Sequence, residues 1–429
     1  MSLLDFDKNF VKAQGASVWD SDGNKYLDFL GGFGSLNVGH NHPAIIAALE
    51  KANYLPSIIP ASLPALAGAL AQNLARITPG ELQRSFFCNS GAEAVEGALK
   101  LARAATGKAD IVFCDNSFHG KTFGALSVTG RDKYRKPFEP LLPGCHSVPF
   151  NDAAALEKAL HSFSPAAFIV EPLQGEGGII PPSKDYFKQV QRICKKHGTL
   201  LIIDEVQTGL GRTGKMFACE HYNLEPDILC LAKSLGGGIM PIGAFVTKDT
   251  IWRKAYGGMD KATLHTSTFG GNSRATAVGL ATLQVIYDQN LVEKAKENGD
   301  FFLDQLQRLK NKYPLIKDVR GQGLMIGLEF NQVEGLGNKL SMGMTNKFSQ
   351  EYMGSLVAGE LMNEFKIITA YTLNNPNVIR LEPPLIVSRA ELETVIDALD
   401  NILARHKGFF SVAASGAKTI LKTFRQKNN

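Results

Sequence analysis

Between Arg84 and Phe245 the chain alternates short apolar, β-rich runs (Ser85–Cys88, Ile111–Cys114, Phe168–Val170, Leu200–Ile203 and Ile228–Leu231) with helix-length stretches (Ala92–Ala104 and Lys184–Lys196). That rhythm predicts an α/β fold with a mostly parallel central sheet. The runs Phe168-Ile169-Val170 and Leu200-Leu201-Ile202-Ile203 are apolar without alternation, as expected of strands covered on both faces, and each ends directly in an acid, Glu171 and Asp204. After Asn272 the pattern changes to a long helical stretch, Arg274–Gln289, a mixed segment, Ile316–Leu381, and a final helix, Arg389–His406. These predict a second, smaller α+β domain. Near the start, Val18-Trp19 and Tyr26-Leu27-Asp28-Phe29 flank an Asp22-Gly23 turn and read as a hairpin. The expected organisation is a segment 1–45 packing with the small domain, a large domain 46–273, a small domain 274–408 and a tail 409–429.

With 429 residues, 44% hydrophobic and 20% charged, the chain can build a substantial core, which excludes wholesale disorder and a small disulfide scaffold. Six scattered cysteines without a C-x-x-C pair argue against a disulfide framework or a zinc site, so no metal is expected and a reducing cytoplasm fits. The longest apolar candidate, Pro56–Ala75, is interrupted by Pro60, Ser62, Pro64, Gln72 and Asn73, so a soluble protein is expected. The net charge of +5 makes no case for a nucleic-acid binder. Its location is informative: beyond Asp400 there is no acid, while Arg405, Lys407, Lys418, Lys422, Arg425 and Lys427 add six positive charges. The surplus therefore belongs to the tail. With its interspersed apolar residues the tail reads either as a basic amphipathic helix or as a solvated end.

Two phosphate motifs are decoys. Gly209-Leu210-Gly211-Arg212-Thr213-Gly214 matches G-x-G-x-x-G and, with Lys215, nearly matches a P-loop. Met216 cannot supply the hydroxyl that a P-loop places on Mg²⁺, and Asp204–Thr208 separate the preceding strand from the first glycine, against the dinucleotide pattern. The remaining reading is a Gly-rich loop.

In open α/β sheets ligands sit beyond the carboxyl ends of the strands, so the residues after each apolar run matter most. Asn89-Ser90-Gly91-Ala92 opens a helix and offers N–H groups to an anion. Phe118-His119 sits in a polar loop containing Gly120 and offers a stacking ring. Asp204-Glu205 follows four apolar residues, so Asp204 starts nearly buried and needs a partner. Lys233 lies between an apolar strand and Gly236-Gly237-Gly238, where a lysine can act as a Schiff-base nucleophile. An anion cradle, a ring, a carboxylate and such a lysine are together what pyridoxal 5'-phosphate requires.

These residues resemble the class III (subgroup II) aminotransferases, pyridoxal-phosphate enzymes of fold type I. The resemblance runs through Tyr26-Leu27-Asp28-Phe29, Gly39-His40-Asn41-His42-Pro43, Asn89-Ser90-Gly91, Phe118-His119-Gly120, Glu171-Pro172-Leu173-Gln174-Gly175-Glu176-Gly177-Gly178, Asp204-Glu205-Val206-Gln207-Thr208-Gly209, His265-Thr266-Ser267-Thr268-Phe269-Gly270-Gly271-Asn272 and Arg380-Leu381-Glu382-Pro383-Pro384. It implies Lys233 as the Schiff-base lysine, Asp204 as partner of the pyridine nitrogen and Gln207 near the phenolic oxygen. Ser90, Gly91 and Ala92 would take the phosphate, and Phe118, with His119 adjacent, would stack on the ring. Thr268 would reach the phosphate of a neighbouring subunit, which implies a homodimer with shared sites. Arg380 would grip the α-carboxylate of glutamate or 2-oxoglutarate, and Glu176 would mask it when the donor lacks one.

Within the family, relatives acting on ornithine, acetylornithine or 4-aminobutyrate usually carry arginine where this chain has Lys121, and relatives acting on ornithine carry tyrosine where it has Phe33. Lys121 and the segment after it look most like putrescine aminotransferases. The resemblance therefore implies transfer from putrescine or a related diamine or ω-amine to 2-oxoglutarate. The alternatives are an ornithine, acetylornithine or 4-aminobutyrate aminotransferase, and a mutase or decarboxylase on the same scaffold.

Overall fold

In the computed structural model, which describes residues 8–58, 64–331 and 344–406, the chain opens with antiparallel strands β1 (Phe10–Gln14), β2 (Ser17–Asp20) and β3 (Lys25–Asp28). Asp20 holds the β2–β3 turn, its Oδ1 accepting from Asn24 N at 2.8 Å and its Oδ2 from the Tyr26 hydroxyl at 2.9 Å. This is the expected hairpin.

The large sheet contains β4 (Leu82–Cys88), β5 (Ile111–Cys114), β6 (Cys145–Val148), β7 (Ala167–Val170), β8 (Leu200–Asp204), β9 (Ile228–Leu231) and β10 (Gly243–Lys248), in the order β4-β10-β9-β8-β7-β5-β6. All pairings from β9 to β6 are parallel, and β10 runs antiparallel to both its neighbours. The uninterrupted apolar runs have a simple cause. Phe168, Val170, Leu201, Ile203, Leu229 and Leu231 pack into a core on one face, whereas Ala167, Ile169, Ile202, Ile228 and Cys230 pack into another. Alternate residues of each strand thus reach opposite faces, and both faces are dry. The helix predicted over Ala92–Ala104 runs Gly91–Thr106, and that predicted over Lys184–Lys196 runs Tyr186–His197. Two strands escape the sequence pattern. β6 is short and only partly buried, and β10 follows its predecessor without an intervening long helix.

Helices Ser273–Asp288 and Leu291–Lys312 follow. Sequence periodicity misses the second, whose interior Gly299 ordinarily weakens a helix. Here the glycine has a packing reason: a Cβ on it would lie 2.2 Å from the Gly323 carbonyl oxygen. Then come β11 (Ile316–Gln322), β12 (Met325–Phe330), helix Met344–Phe365, β13 (Ile367–Ile368), β14 (Ala370–Tyr371), β15 (Val378–Leu381) and helix Arg389–Arg405. The last helix starts on a capping box, Ser388 with Glu391. Strands β11-β12-β15-β14 form an antiparallel sheet, while β13 joins β3 in parallel, Ile367 opposite Leu27. The N-terminal hairpin is thereby tied to the C-terminal part of the chain. The basic tail 409–429 lies outside the described residues. Among those described, no helix is long and apolar enough to cross a membrane.

Candidate active site

Asp204 closes β8, the middle strand of seven, and Phe118-His119, Glu171 and Lys233 follow β5, β7 and β9. β10 opposes both neighbours, so β4 runs the same way as β9 and delivers Ser90 to the same edge. The ends of β4, β5, β8 and β9 thus converge on a cavity of about 480 Å³ lined by Ser90, Gly91, Ala92, Phe118, His119, Asp204 and Lys233, with Ser35, Met240 and Pro241 among the remaining wall residues.

The Asp204 carboxylate is buried, its Oδ2 2.7 Å from His119 Nδ1 and its Oδ1 accepting from Val206 N at 3.0 Å. Thr129 Oγ1 accepts from His119 N at 3.1 Å, and His119 Nε2 is buried without a hydrogen-bond partner. Glu171 supports the loop from below: it accepts from Phe118 N and Gly175 N, each at 2.9 Å. Burial pushes its carboxyl up to about 7, with neighbouring Asp204 adding to the rise and His119 opposing it. The loop is also fixed by a close return of the chain at Gly130, whose N–H donates to Ser117 O and whose carbonyl accepts from Asn116 N, each at 2.9 Å. A Cβ there would sit 2.4 Å from the Asn116 nitrogen and the Cys114 oxygen.

Ser90 caps the helix Gly91–Thr106, accepting from Glu93 N at 3.2 Å, while Glu93 accepts from Asn89 N at 2.7 Å. Gly91 and Ala92, the first helical residues, line the cavity, and their N–H groups belong to the four that a helix leaves without internal partners. A Cβ on Gly91 would approach Val206 Cγ1 to 2.8 Å, so glycine keeps this end of the cavity open. Lys233 has a left-handed backbone, φ 45°, uncommon for a side-chain-bearing residue and typical of strain held at a site. Burial lowers its ammonium pKa, against the pull of Glu382, Glu176 and Asp204, and Arg380 lowers it further.

A second polar cluster comes from β15. Arg380 is fully buried; its Nη2 bonds Glu176 Oε2 and its Nη1 lies 3.8 Å from Glu382 Oε2. Burial works against the guanidinium charge, but Glu176 and Glu382 more than offset it and raise the pKa. Gln207 Nε2 donates to both Glu382 oxygens at 3.0 Å. Phe33 lies across the guanidinium, 5.4 Å from its carbon, in a loop where Gly31, Gly32, Phe33 and Gly34 all have positive φ. Glycine is required at least at Gly31, where a Cβ would lie 2.3 Å from Glu382 O.

Phe33, Glu176, Gln207 and Arg380 form the second cluster rather than the cavity wall, and two further predicted site residues stand apart from both. Lys121 is exposed, its Nζ 4.8 Å from the Tyr134 ring centroid. Thr268 is exposed on the stretch between helices Asp249–Tyr256 and Ser273–Asp288. Sequence reasoning assigned no role to Glu171 or Glu382. An acid directly after an apolar strand, which singled out Asp204, also marks Glu171; β15, which carries Arg380, gives no such signal before Glu382.

The donor set fits pyridoxal phosphate: unpaired helix N–H groups, a glycine-shaped cradle, an orphaned buried His119 nitrogen behind Asp204, and a lysine, all around one cavity. Among the described residues no cluster of three or more His, Cys, Asp or Glu is arranged for a metal ion. A mixed α/β fold with a large, mostly parallel sheet and this set at its strand ends defines a pyridoxal-phosphate-dependent transaminase of fold type I. The class-III aminotransferase family model matches residues 5–403, and the chain belongs to that family. The chain is 34% identical to the ornithine aminotransferase of Toxoplasma gondii, over 92% of this chain and 89% of that one, with a TM-score of 0.82. With the acetylornithine aminotransferase of Elizabethkingia anophelis the identity is 32%, the coverage 93% and 94%, and the TM-score 0.77. An amine transaminase from an uncultivated Pseudomonas species, solved in its PLP-bound form, shares 30% identity over 94% and 95% of the chains with a TM-score of 0.84.

Proposed function

We propose that the enzyme moves an amino group from a terminal amine, putrescine or a related diamine or ω-amine, to 2-oxoglutarate, giving an aldehyde and glutamate. The observation that carries this reading is the cation inventory. Among the described residues no arginine lines the cavity, the Lys121 charge lies over Tyr134, and Arg380 is already held by Glu176. A donor ending in an amine needs no guanidinium at its far end, while a keto acid can draw Arg380 away from Glu176.

When bound, pyridoxal phosphate supplies a carbonyl for the amine and a ring that delocalises charge developing at the reacting carbon. Gly91 and Ala92 would hold the phosphate through their N–H groups, with Ser90 beside them, and Phe118 would cover the ring. Asp204, oriented by His119 Nδ1, holds a proton on the ring nitrogen. Gln207 would have to give up part of its hydrogen bonding to Glu382 to reach the phenolic oxygen. Lys233, whose lowered pKa raises its neutral fraction, would be the nucleophile and the base that moves the proton at the substrate carbon. Arg380 takes the α-carboxylate in the keto-acid half-reaction, and Glu176 covers it in the other.

The second reading is ornithine or acetylornithine as donor, favoured by the named relatives. A panel of putrescine, cadaverine, ornithine, acetylornithine and 4-aminobutyrate with 2-oxoglutarate, scored by glutamate formed, decides between them. Preference for ornithine or acetylornithine would overturn the diamine reading. We further infer a homodimer in the cytoplasm, with Thr268 reaching the other subunit's phosphate. The exposure of Met259, Leu264 and Phe269 beside Thr268 supports it, and sedimentation of the holoenzyme as a monomer would refute it.

A further inference from the structure

Asn89 lines the cavity and takes no part in the proposed chemistry. With Ser90 it forms the two-residue joint between β4 and the helix Gly91–Thr106, and so governs where the helix begins and how the Gly91 and Ala92 N–H groups point. The joint is held from three directions. From the helix, Glu93 Oε2 accepts from Asn89 N at 2.7 Å and Glu93 Oε1 from Asn89 Nδ2 at 3.2 Å. From the sheet, β10 begins at Gly243, where a Cβ would lie 2.2 Å from Ser90 O. From the far side, Asn89 Nδ2 donates to Ser267 Oγ at 3.2 Å, which engages both of its hydrogens. Ser90 Oγ lies 3.2 Å from Glu93 Oε2, so its single proton is directed to the cap and the aim of the backbone N–H groups matters the more.

Ser267 is a firm anchor because its own stretch of chain is fixed on both sides of it. Lys100, in the same helix, donates through Nζ to Leu264 O at 3.4 Å and lies 3.0 Å from His265 Nδ1. A Cβ on Gly97 would lie 2.9 Å from His265 Nε2, and one on Gly270 would lie 2.1 Å from Phe87 O of β4.

We propose that Asn89 is a positioning residue for the cofactor phosphate, latching the first turn of the helix Gly91–Thr106 to the stretch Leu264–Gly270 through Ser267. The proposal rests on the reading that Gly91 and Ala92 take the phosphate. N–H groups aimed before an anion arrives lose little freedom when it binds, whereas a loose joint must be ordered at the expense of affinity. The effect is confined to the phosphate end. Phe118, Asp204 and Lys233, which surround the ring and aldehyde, are delivered by β5, β8 and β9 rather than by this joint.

The test dialyses the holoenzyme to equilibrium against pyridoxal phosphate and pyridoxal together and measures how much of each is retained, which reads the preference for the phosphate-bearing form. Asn89→Ala should lower that preference about tenfold and Ser267→Ala about threefold, the scale of hydrogen bonds lost from a partly buried network. Ser267→Thr, which keeps the hydroxyl, should hold the wild-type preference. The double Ala variant should be no worse than Asn89→Ala, since the two residues act through one bond. A general loosening of the fold would weaken both aldehydes alike and leave the preference where it was. An unchanged preference in Asn89→Ala or Ser267→Ala, an equal loss in Ser267→Thr, or additive losses in the double variant overturns the proposal. Should Asn89→Ala fail to fold, the comparison of Ser267→Ala with Ser267→Thr decides alone. A wild type without any preference for the phosphate-bearing form overturns the reading of Gly91 and Ala92 and the latch with it, whereas a wild-type preference that Asn89→Ala leaves intact overturns the latch alone.

Discussion

Replacing Glu171 with Gln isolates the electrostatic strain beneath the cavity. The carboxyl sits at about 7 in the fold against an ordinary value of 4.5, chiefly because burial penalises its charged form. A group whose pKa is raised by folding binds its proton more tightly in the native state. Its contribution to stability is complete below about pH 4.5 and is lost as pH rises through about 7. The difference of about 2.5 amounts to roughly 3 kcal/mol, an upper scale for the whole window. Gln cannot ionise, so it loses nothing across that range. It does carry a constant cost, because one of the two N–H groups, Phe118 N or Gly175 N, then faces an amide nitrogen rather than an oxygen; that cost is about 1–3 kcal/mol. Urea unfolding of the cofactor-free protein at fixed concentration, at pH 5 and pH 8, reads both quantities. The stability of wild type relative to variant should fall by roughly 2.5 kcal/mol from the lower to the higher pH, a little less than the whole window because part of it lies below pH 5. A difference that is the same at both pH values would show that Glu171 titrates normally and would refute the argument.

Arg212→Met removes a fully buried guanidinium that donates to Leu324 O at 2.9 Å, Pro383 O at 2.6 Å and Asn37 Oδ1 at 2.7 Å. The loss should be about 3–5 kcal/mol in urea unfolding, since three acceptors from separate parts of the chain are left unpaired at once. Gly130→Ala drives a Cβ against the Asn116 and Cys114 backbone and should shift the loop carrying Phe118 and His119. The expected result is a loss of about 3 kcal/mol or more together with weaker cofactor retention on dialysis. Lys233→Ala should abolish turnover while pyridoxal phosphate still binds noncovalently, and full turnover in that variant would reject its assignment as nucleophile.

The local chemistry was legible because the rules that create it are local. Apolar runs that pack on both faces cannot alternate, so β5, β7, β8 and β9 announced themselves, and residues directly after such runs lie at the strand ends where ligands bind. That logic found Ser90, Phe118, Asp204 and Lys233, and they line one cavity. The same logic failed for β10, because an antiparallel return needs no long helix, and for Leu291–Lys312, where an interior glycine serves close packing rather than helix propensity.

By itself, then, the order of residues along the chain determined the buried central strands, which residues close them, and the kind of cofactor chemistry they can hold. Tertiary structure decided that Arg380, at the end of β15, is flanked by Glu176, from the loop after β7 some two hundred positions earlier, on one side and by Glu382 on the other; only the family resemblance had pointed to the first of these. Nothing in the local pattern of either segment encodes that pairing. It also decided that Lys121, two residues from His119 in sequence, stands outside the cavity over a tyrosine ring. Burial converts proximity in space into charge balance, and burial is a property of the whole packed molecule rather than of any segment.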